Sequence, residues 1–131
     1  MEGKLKVEII SPEKIIFSNQ ATMITLPSYE GDMSILENHI SMVAFLRPGI
    51  IKAQISQDTE ENFFVENGTV EFSNNNLVIL STSATRIQDL NKNYIENLHK
   101  DTEEKLQLKN LTDEDRYILN HKLDVIKRLP L

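Results

Sequence analysis

The chain has 131 residues, no cysteine, and 14 Lys and Arg against 20 Asp and Glu, for a formal net charge of −6. That deficit of positive charge argues against a role in binding nucleic acid, whose phosphates demand a Lys/Arg surplus, and the missing cysteine excludes disulfides, thiolate metal sites and a Cys nucleophile together. The length fits one domain, with or without an appendage.

The opening MEGKLKVEII holds no apolar run of signal-peptide length, and no run approaches a membrane span. We therefore expect a soluble protein, or one that reaches a membrane only through something else. Leu5, Val7 and Ile9 alternate with Lys4, Lys6 and Glu8, the period of a strand with one apolar and one wet side. The rhythm returns at Thr22, Ile24 and Leu26, at Ile51, Ala53 and Ile55, at Phe63 and Val65, and at Val70 and Phe72. Leu77 to Leu80 (LVIL) reads as a strand buried on both faces. Turn chemistry separates these runs at Pro27-Ser28, Glu30-Gly31-Asp32, Pro48-Gly49, Asn67-Gly68 and Asn74-Asn75-Asn76. Asn67-Gly68, between two alternating segments, predicts a hairpin. Short strands with turns about every 8–12 residues predict an antiparallel β-sandwich or barrel, here over residues 1–86.

Over residues 87–131 the period changes to that of helices. Asp89 is the expected cap of a first helix carrying Leu90, Ile95, Leu98, Thr102 and Leu106 on one side. The stretch KNLTDED breaks it, and Thr112 with Asp115 forms a capping box for a second helix. Ile118, Leu119, Leu123, Ile126 and Leu129 line one side of that helix, and Pro130 is its expected stop. The fold class is thus an N-terminal antiparallel β-sandwich followed by a C-terminal two-helix antiparallel hairpin. A hairpin this small needs a surface to pack on, and its docking is a small difference between large terms, so it is suited to changing partners.

Charge is uneven along the chain: residues 1–86 hold six basic and eleven acidic side chains, residues 87–131 eight and nine. From Arg116 to Arg128 there are four cations, Arg116, Lys122, Lys127 and Arg128, and one anion, Asp124. That face suits an acidic partner; the same pattern also describes an ordinary solvated helix with dipole-matched ends. No Gly-rich phosphate loop, Gly-x-Ser-x-Gly elbow or His-Glu-x-x-His occurs. The three histidines are His39, His99 and His121; the last two face each other across the expected hairpin, but no third ligand joins them. No catalytic residue, metal, nucleotide site or cofactor is expected, and the simplest reading is a subunit of something larger.

The segment Gly31-Asp32-Met33-Ser34-Ile35-Leu36-Glu37-Asn38-His39-Ile40-Ser41, followed by Met42 to Leu46 and Arg47-Pro48-Gly49, resembles the hallmark of the epsilon subunits of bacterial F-type ATP synthases. That pattern runs Gly-Glu-Leu-Gly-Ile-x-Pro-Gly-His-Ala-Pro and on into Lys-Pro-Gly. LKVEIISPEKIIFS is similar to the family's opening, through Ser11, Glu13, Phe17 and Ser18, and FFVENGTVEFSNNNLVILSTSATR to its later strands, through Gly68, Glu71, Leu80 and Ala84. Gln88-Asp89-Leu90 also fits the family's helix start. Glu37-Asn38 replace Pro-Gly, Ile40-Ser41 replace Ala-Pro, and Asn67 stands for the first glycine of a Gly-Gly pair, which Asn tolerates where a left-handed backbone is required. The ATP-binding element of some members is missing at Leu90-Asn91-Lys92-Asn93-Tyr94-Ile95, so ATP binding is not expected.

The resemblance implies a non-catalytic rotor subunit at the foot of the central stalk, against gamma and the c-ring. It implies a peripheral place on the cytoplasmic face of a bacterial inner membrane, held there through the complex. By the same carry-over Asp32 faces the c-ring loops, and Ser11 and His39 lie near gamma or the ring; the plain alternative is a turn-capping His39 and a solvated Asp32. The family's hairpin either folds on the sandwich or extends into the catalytic head and inhibits hydrolysis, which makes Arg116, Lys122, Lys127 and Arg128 candidates for meeting alpha or beta subunits. A stand-alone ligand-sensing sandwich with a reporter hairpin is the alternative function, and a metal enzyme through His39, His99 and His121 comes third.

Overall fold

The computed structural model describes residues 3–129, so the expected stop at Pro130 lies outside the described residues. Ten strands take up the chain to Arg86: β1 (Leu5–Ile10), β2 (Ile15–Ala21), β3 (Met23–Ser28), β4 (Gly31–Leu36), β5 (Met42–Leu46), β6 (Gly49–Gln54), β7 (Glu60–Val65), β8 (Gly68–Ser73), β9 (Asn76–Leu80) and β10 (Thr85–Arg86). One layer runs β4-β3-β6-β7-β10 and the other β5-β8-β9-β1-β2, joined where Ser28 meets Leu46. Inward residues of both layers, among them Leu5, Val7, Ile9, Ile24, Leu26, Ile51, Phe63, Val70, Phe72 and Ile79, form one core.

The strand alternation is as expected, and several local details differ. β1 and β9 run parallel, so the sandwich is not wholly antiparallel. Asn67-Gly68 makes no hairpin: β7 pairs with β6 and β10, β8 with β5 and β9, and the segment carries the chain from one layer to the other. Gly68 is needed there for close approach, since a Cβ would stand 2.9 Å from the Leu80 carbonyl oxygen. Asn67 is not left-handed; that conformation belongs to Asn38, Asn74 and Asn75, the last two forming the two-residue turn between β8 and β9. Pro27-Ser28 end strand β3 rather than turning, and Pro27 is where Gly49 packs, with an added Cβ only 2.4 Å from the Pro27 Cβ.

Nor is LVIL buried on both faces. Leu77 and Ile79 point inward, while Leu80 is 51% exposed. Burial on both faces occurs instead at the end of β7, where Phe63, Phe64 and Val65 are all fully buried. Phe63 and Val65 enter the sandwich core, and Phe64 enters a second one.

That second core is the docking site of the helices α1 (Lys92–Leu106) and α2 (Asp113–Arg128). Phe64 meets Ile95, Ile126 and Leu129, with Ile50, Ile87, Leu90, Leu98 and Val125 around them. Helices of 15 and 16 residues are marginal alone in water, so this burial and their mutual packing hold them. Asp89 does not cap α1. It ends a 3-10 turn, Leu90 is extended, and Asn91 is the cap, its side chain accepting the Tyr94 N–H at 2.8 Å. The Thr112–Asp115 capping box of α2 is complete in both directions.

Phe64→Ala is expected to weaken hairpin docking by about 3–5 kcal/mol. Amide hydrogen exchange should show α1 and α2 losing protection while β1 and β9 keep theirs; uniform loss would mean that hairpin and sandwich unfold as one unit.

Candidate functional site

The hairpin covers the outer face of β6 and β7, and the outer face of the other layer is open. Pairing registers lay out what that open face presents. Phe45 lies beside Thr69, Thr69 beside Leu80, Leu80 beside Ile10 and Ile10 beside Ile15, one row across five strands. Phe45 is 60% exposed and Ile15 59%, so with Leu80 this is a largely apolar row in water. The next row is Val43, Glu71, Val78, Glu8 and Ser18, which flanks the apolar one with two carboxylates. Contiguous exposed apolar surface rimmed by charge marks a protein interface. In the sequence its signal is an apolar residue at a wet-side strand position, as at Phe45 and Leu80.

Ser11 borders an open groove that runs along this row, with Tyr29, Phe45, Gly68 and Leu80. It closes the β1–β2 turn through its N–H to the Lys14 carbonyl at 2.9 Å. Asp32 is 70% exposed and accepts from the Arg47 guanidinium at 3.0 Å. His39 lies at the opposite end of the sandwich. Its loop is tied to the β8–β9 turn, Asn38 N–H donating to the Asn75 Oδ1 at 2.6 Å, beside the start of β1 rather than its end. The length of β1, about 20 Å at 3.3 Å per residue, separates Ser11 from His39. The ring of His39 meets Phe72 edge-on, and the His39 backbone N–H donates to the Leu36 carbonyl at 3.1 Å. The structure therefore brings Ser11 and Tyr29 to one groove and leaves His39 apart.

Of the four basic candidates on α2, Arg116, Lys127 and Arg128 are exposed, whereas Lys122 is buried against the sandwich and ion-paired with Glu66. No residue spacing signals this pair, because Glu66 sits in the crossover between layers. Tyr117 stacks on Tyr29 (centroids 6.5 Å) and its hydroxyl donates to the Tyr29 carbonyl at 3.2 Å. His99 and His121 do not form a pair: His99 meets Glu103 and His121 packs on Tyr117. Among the described residues no group of His, Asp and Glu is placed to hold a metal ion, and no helix is long and apolar enough to cross a membrane.

Residues 4–87 match the family model described as ATP synthase, Delta/Epsilon chain, beta-sandwich domain. The ATP synthase epsilon chain of Pelagibacter ubique is 42% identical over 130 residues, covering 98% of this chain and 99% of that one. ATP synthase epsilon chain 2 of Nitrobacter hamburgensis is 37% identical over 84 residues, covering 64% of this chain and 61% of its own length. Among solved structures, a chain of the Euglena gracilis mitochondrial ATP synthase superposes with a TM-score of 0.75 at 16% identity, covering 98% of this chain and 81% of that one. A chain from the central stalk and c-ring structure of the Tetrahymena thermophila mitochondrial ATP synthase gives 0.63, also at 16% identity, covering 94% and 93%. At that identity the structural likeness is one of fold.

Docking places the His121 imidazole in a cleft with Asp32, Arg47, Lys52, Asp124 and Arg128. Burial, then Arg47, holds its pKa below the ordinary 6.5, with Arg128 acting in the same direction and Asp124 and Asp32 opposing. A histidine that is neutral when docked supports docking fully above its ordinary pKa, and that support is lost as pH falls through the lower docked-state value. Lowering the pH from about 7.5 to about 5.5 should therefore reduce the protection factors of the α2 amides, measured against their intrinsic exchange rates at each pH. His121→Gln should flatten that dependence; an unchanged pH profile would take His121 out of the docking balance.

Proposed function

The chain belongs to the ATP synthase delta/epsilon chain family, and from that premise we propose that it works in the central stalk of a proton-translocating F-type ATP synthase. It binds the gamma subunit and the c-ring, turns with them, and passes torque between proton flow and ATP synthesis. It contributes no catalytic group and needs no cofactor. Its membrane association runs through the complex, on the cytoplasmic face of a bacterial inner membrane.

The observation that carries this reading is the open apolar row of Phe45, Leu80, Ile10 and Ile15 flanked by Glu8 and Glu71. It fits a partner that offers an apolar ridge beside Lys or Arg, where burial supplies affinity and charge sets orientation. Gamma takes this face. The end of the sandwich that holds Ser11 and Tyr29, with Asp32 on the adjoining β3–β4 hairpin, meets the ring, and His39 supports the far end of the gamma contact. The hairpin on the opposite face leaves the row free while docked, and when extended it brakes ATP hydrolysis by setting Arg116, Lys122, Lys127 and Arg128 against acidic loops of the catalytic subunits.

Phe45→Glu with Leu80→Glu should reduce recovery of gamma and c subunits with the tagged chain by at least about tenfold, without unfolding an already solvated face. Full recovery would remove this face from the interface. Asp32→Arg, which reverses the charge beside Arg47, should lower proton-coupled synthesis in membranes; normal coupling would leave Asp32 as a solvated partner of Arg47.

A further inference from the structure

Among the described residues Lys122 is the one buried lysine, 8% exposed on a helix whose other cations stand in solvent. Its ammonium meets the Glu66 Oε1 beneath the hairpin. Glu66 is itself held from behind. Its N–H donates to the Ser83 hydroxyl at 2.9 Å, the Ser83 and Ser81 hydroxyls lie 3.2 Å apart, and the Ser81 hydroxyl donates to the Asn67 carbonyl at 2.7 Å. The carboxylate is thus presented by a braced crossover whether or not the hairpin is there. Phe64, two residues earlier, supplies the apolar part of the same docking site. On the other helix Tyr94 lies close enough for Glu66 to add to the upward push that burial gives its phenol. One carboxylate of the sandwich therefore faces both helices.

A half-exposed apolar helix face docks in many registers, because burial has no direction. A buried cation does not, since any docking that separates Lys122 from Glu66 leaves a desolvated charge unpaired. Such a pair adds little to stability compared with two well-packed apolar side chains, yet losing one partner is strongly unfavourable. It therefore chooses between states.

We propose that Glu66 is the receptor that keeps the hairpin docked by sequestering Lys122, so that one ammonium serves either the sandwich or an acidic loop of a catalytic subunit, never both. The second half of this proposal rests on the brake described under the proposed function. In the undocked chain Lys122 rejoins Arg116, Lys127 and Arg128 on an exposed helix, and the cationic face reaches its full strength only then.

The chain has no cysteine, so Ile126→Cys, at a position 3% exposed, gives a single thiol whose modification rate reports the undocked fraction. In that full-length background Glu66→Gln is expected to raise the rate at least about tenfold. Glu66→Met combined with Lys122→Met should return it to the parent rate or below. Hydrogen exchange of the α2 amides in the cysteine-free chain should give the same order, independently of any disturbance from the thiol. A Glu66→Gln rate equal to the parent's, or a double variant as open as the single, overturns the latch. In the assembled ATP synthase Glu66→Gln should depress ATP hydrolysis several-fold, and adding Lys122→Met should relieve it. Faster labelling with unchanged hydrolysis leaves the latch standing and overturns the brake, and with it the competition for Lys122.

Discussion

The arrangement depends on one stretch of β7, Phe63 to Val65, having no wet side. Phe63 and Phe64 are neighbours on β7, their side chains leave on opposite faces, and both are fully buried. A sandwich alone satisfies Phe63 and leaves Phe64 in water. The second core of Phe64, Ile95, Ile126 and Leu129 is what that phenylalanine demands, and two helices too short to stand alone need the same surface.

Covering one face and leaving the other open divides the molecule into two kinds of surface. The layer β5-β8-β9-β1-β2 keeps its apolar row uncovered while the hairpin packs on the opposite layer. Tyr29 sits where the two surfaces meet, bordering the groove with Ser11 and Phe45 and stacking on Tyr117 of α2. A partner seated at the groove end therefore touches a residue that also contacts the hairpin. Arg47 has a similar position, paired with Asp32 on the sandwich and lowering the basicity of His121 on the helix. Contacts at the groove end and hairpin position thus share side chains, the physical condition for coupling between them.

Apolar and charged groups divide the docking between them. Phe64 and its neighbours supply non-directional attraction, whereas Lys122 with Glu66 supplies direction, because an ammonium under the hairpin tolerates one placement of its carboxylate. A seam built only of leucine and isoleucine would hold more tightly and release less cleanly.

Periodicity alone marked β1, β3, β6, β7, β8 and β9, the helical hairpin and the change of period between them, but not β2, β4, β5 or β10, since the alternation of Leu5, Val7 and Ile9 and the helical spacing of Ile95, Leu98 and Thr102 are local and repeat. The Thr112–Asp115 box was legible for the same reason, being a bond between residues three apart. Ordered motifs pointed to the family through Asp32, His39 and the Arg47-Pro48-Gly49 turn. Errors arose where a local signal was overruled by something distant. Asn67-Gly68 carries hairpin chemistry, but β7 and β8 belong to different layers, and Leu80 sits in an apolar run yet faces out because its register with Thr69 puts it there. Asp89 lost the cap to Asn91 because Leu90 runs extended between the 3-10 turn and the helix, so helical geometry starts only at Lys92. The row from Phe45 to Ile15, the division of Ser11 from His39, and the pairing of Glu66 with Lys122 were decided by tertiary structure alone. Each joins residues far apart in the chain, and the interaction that places them has no period to read.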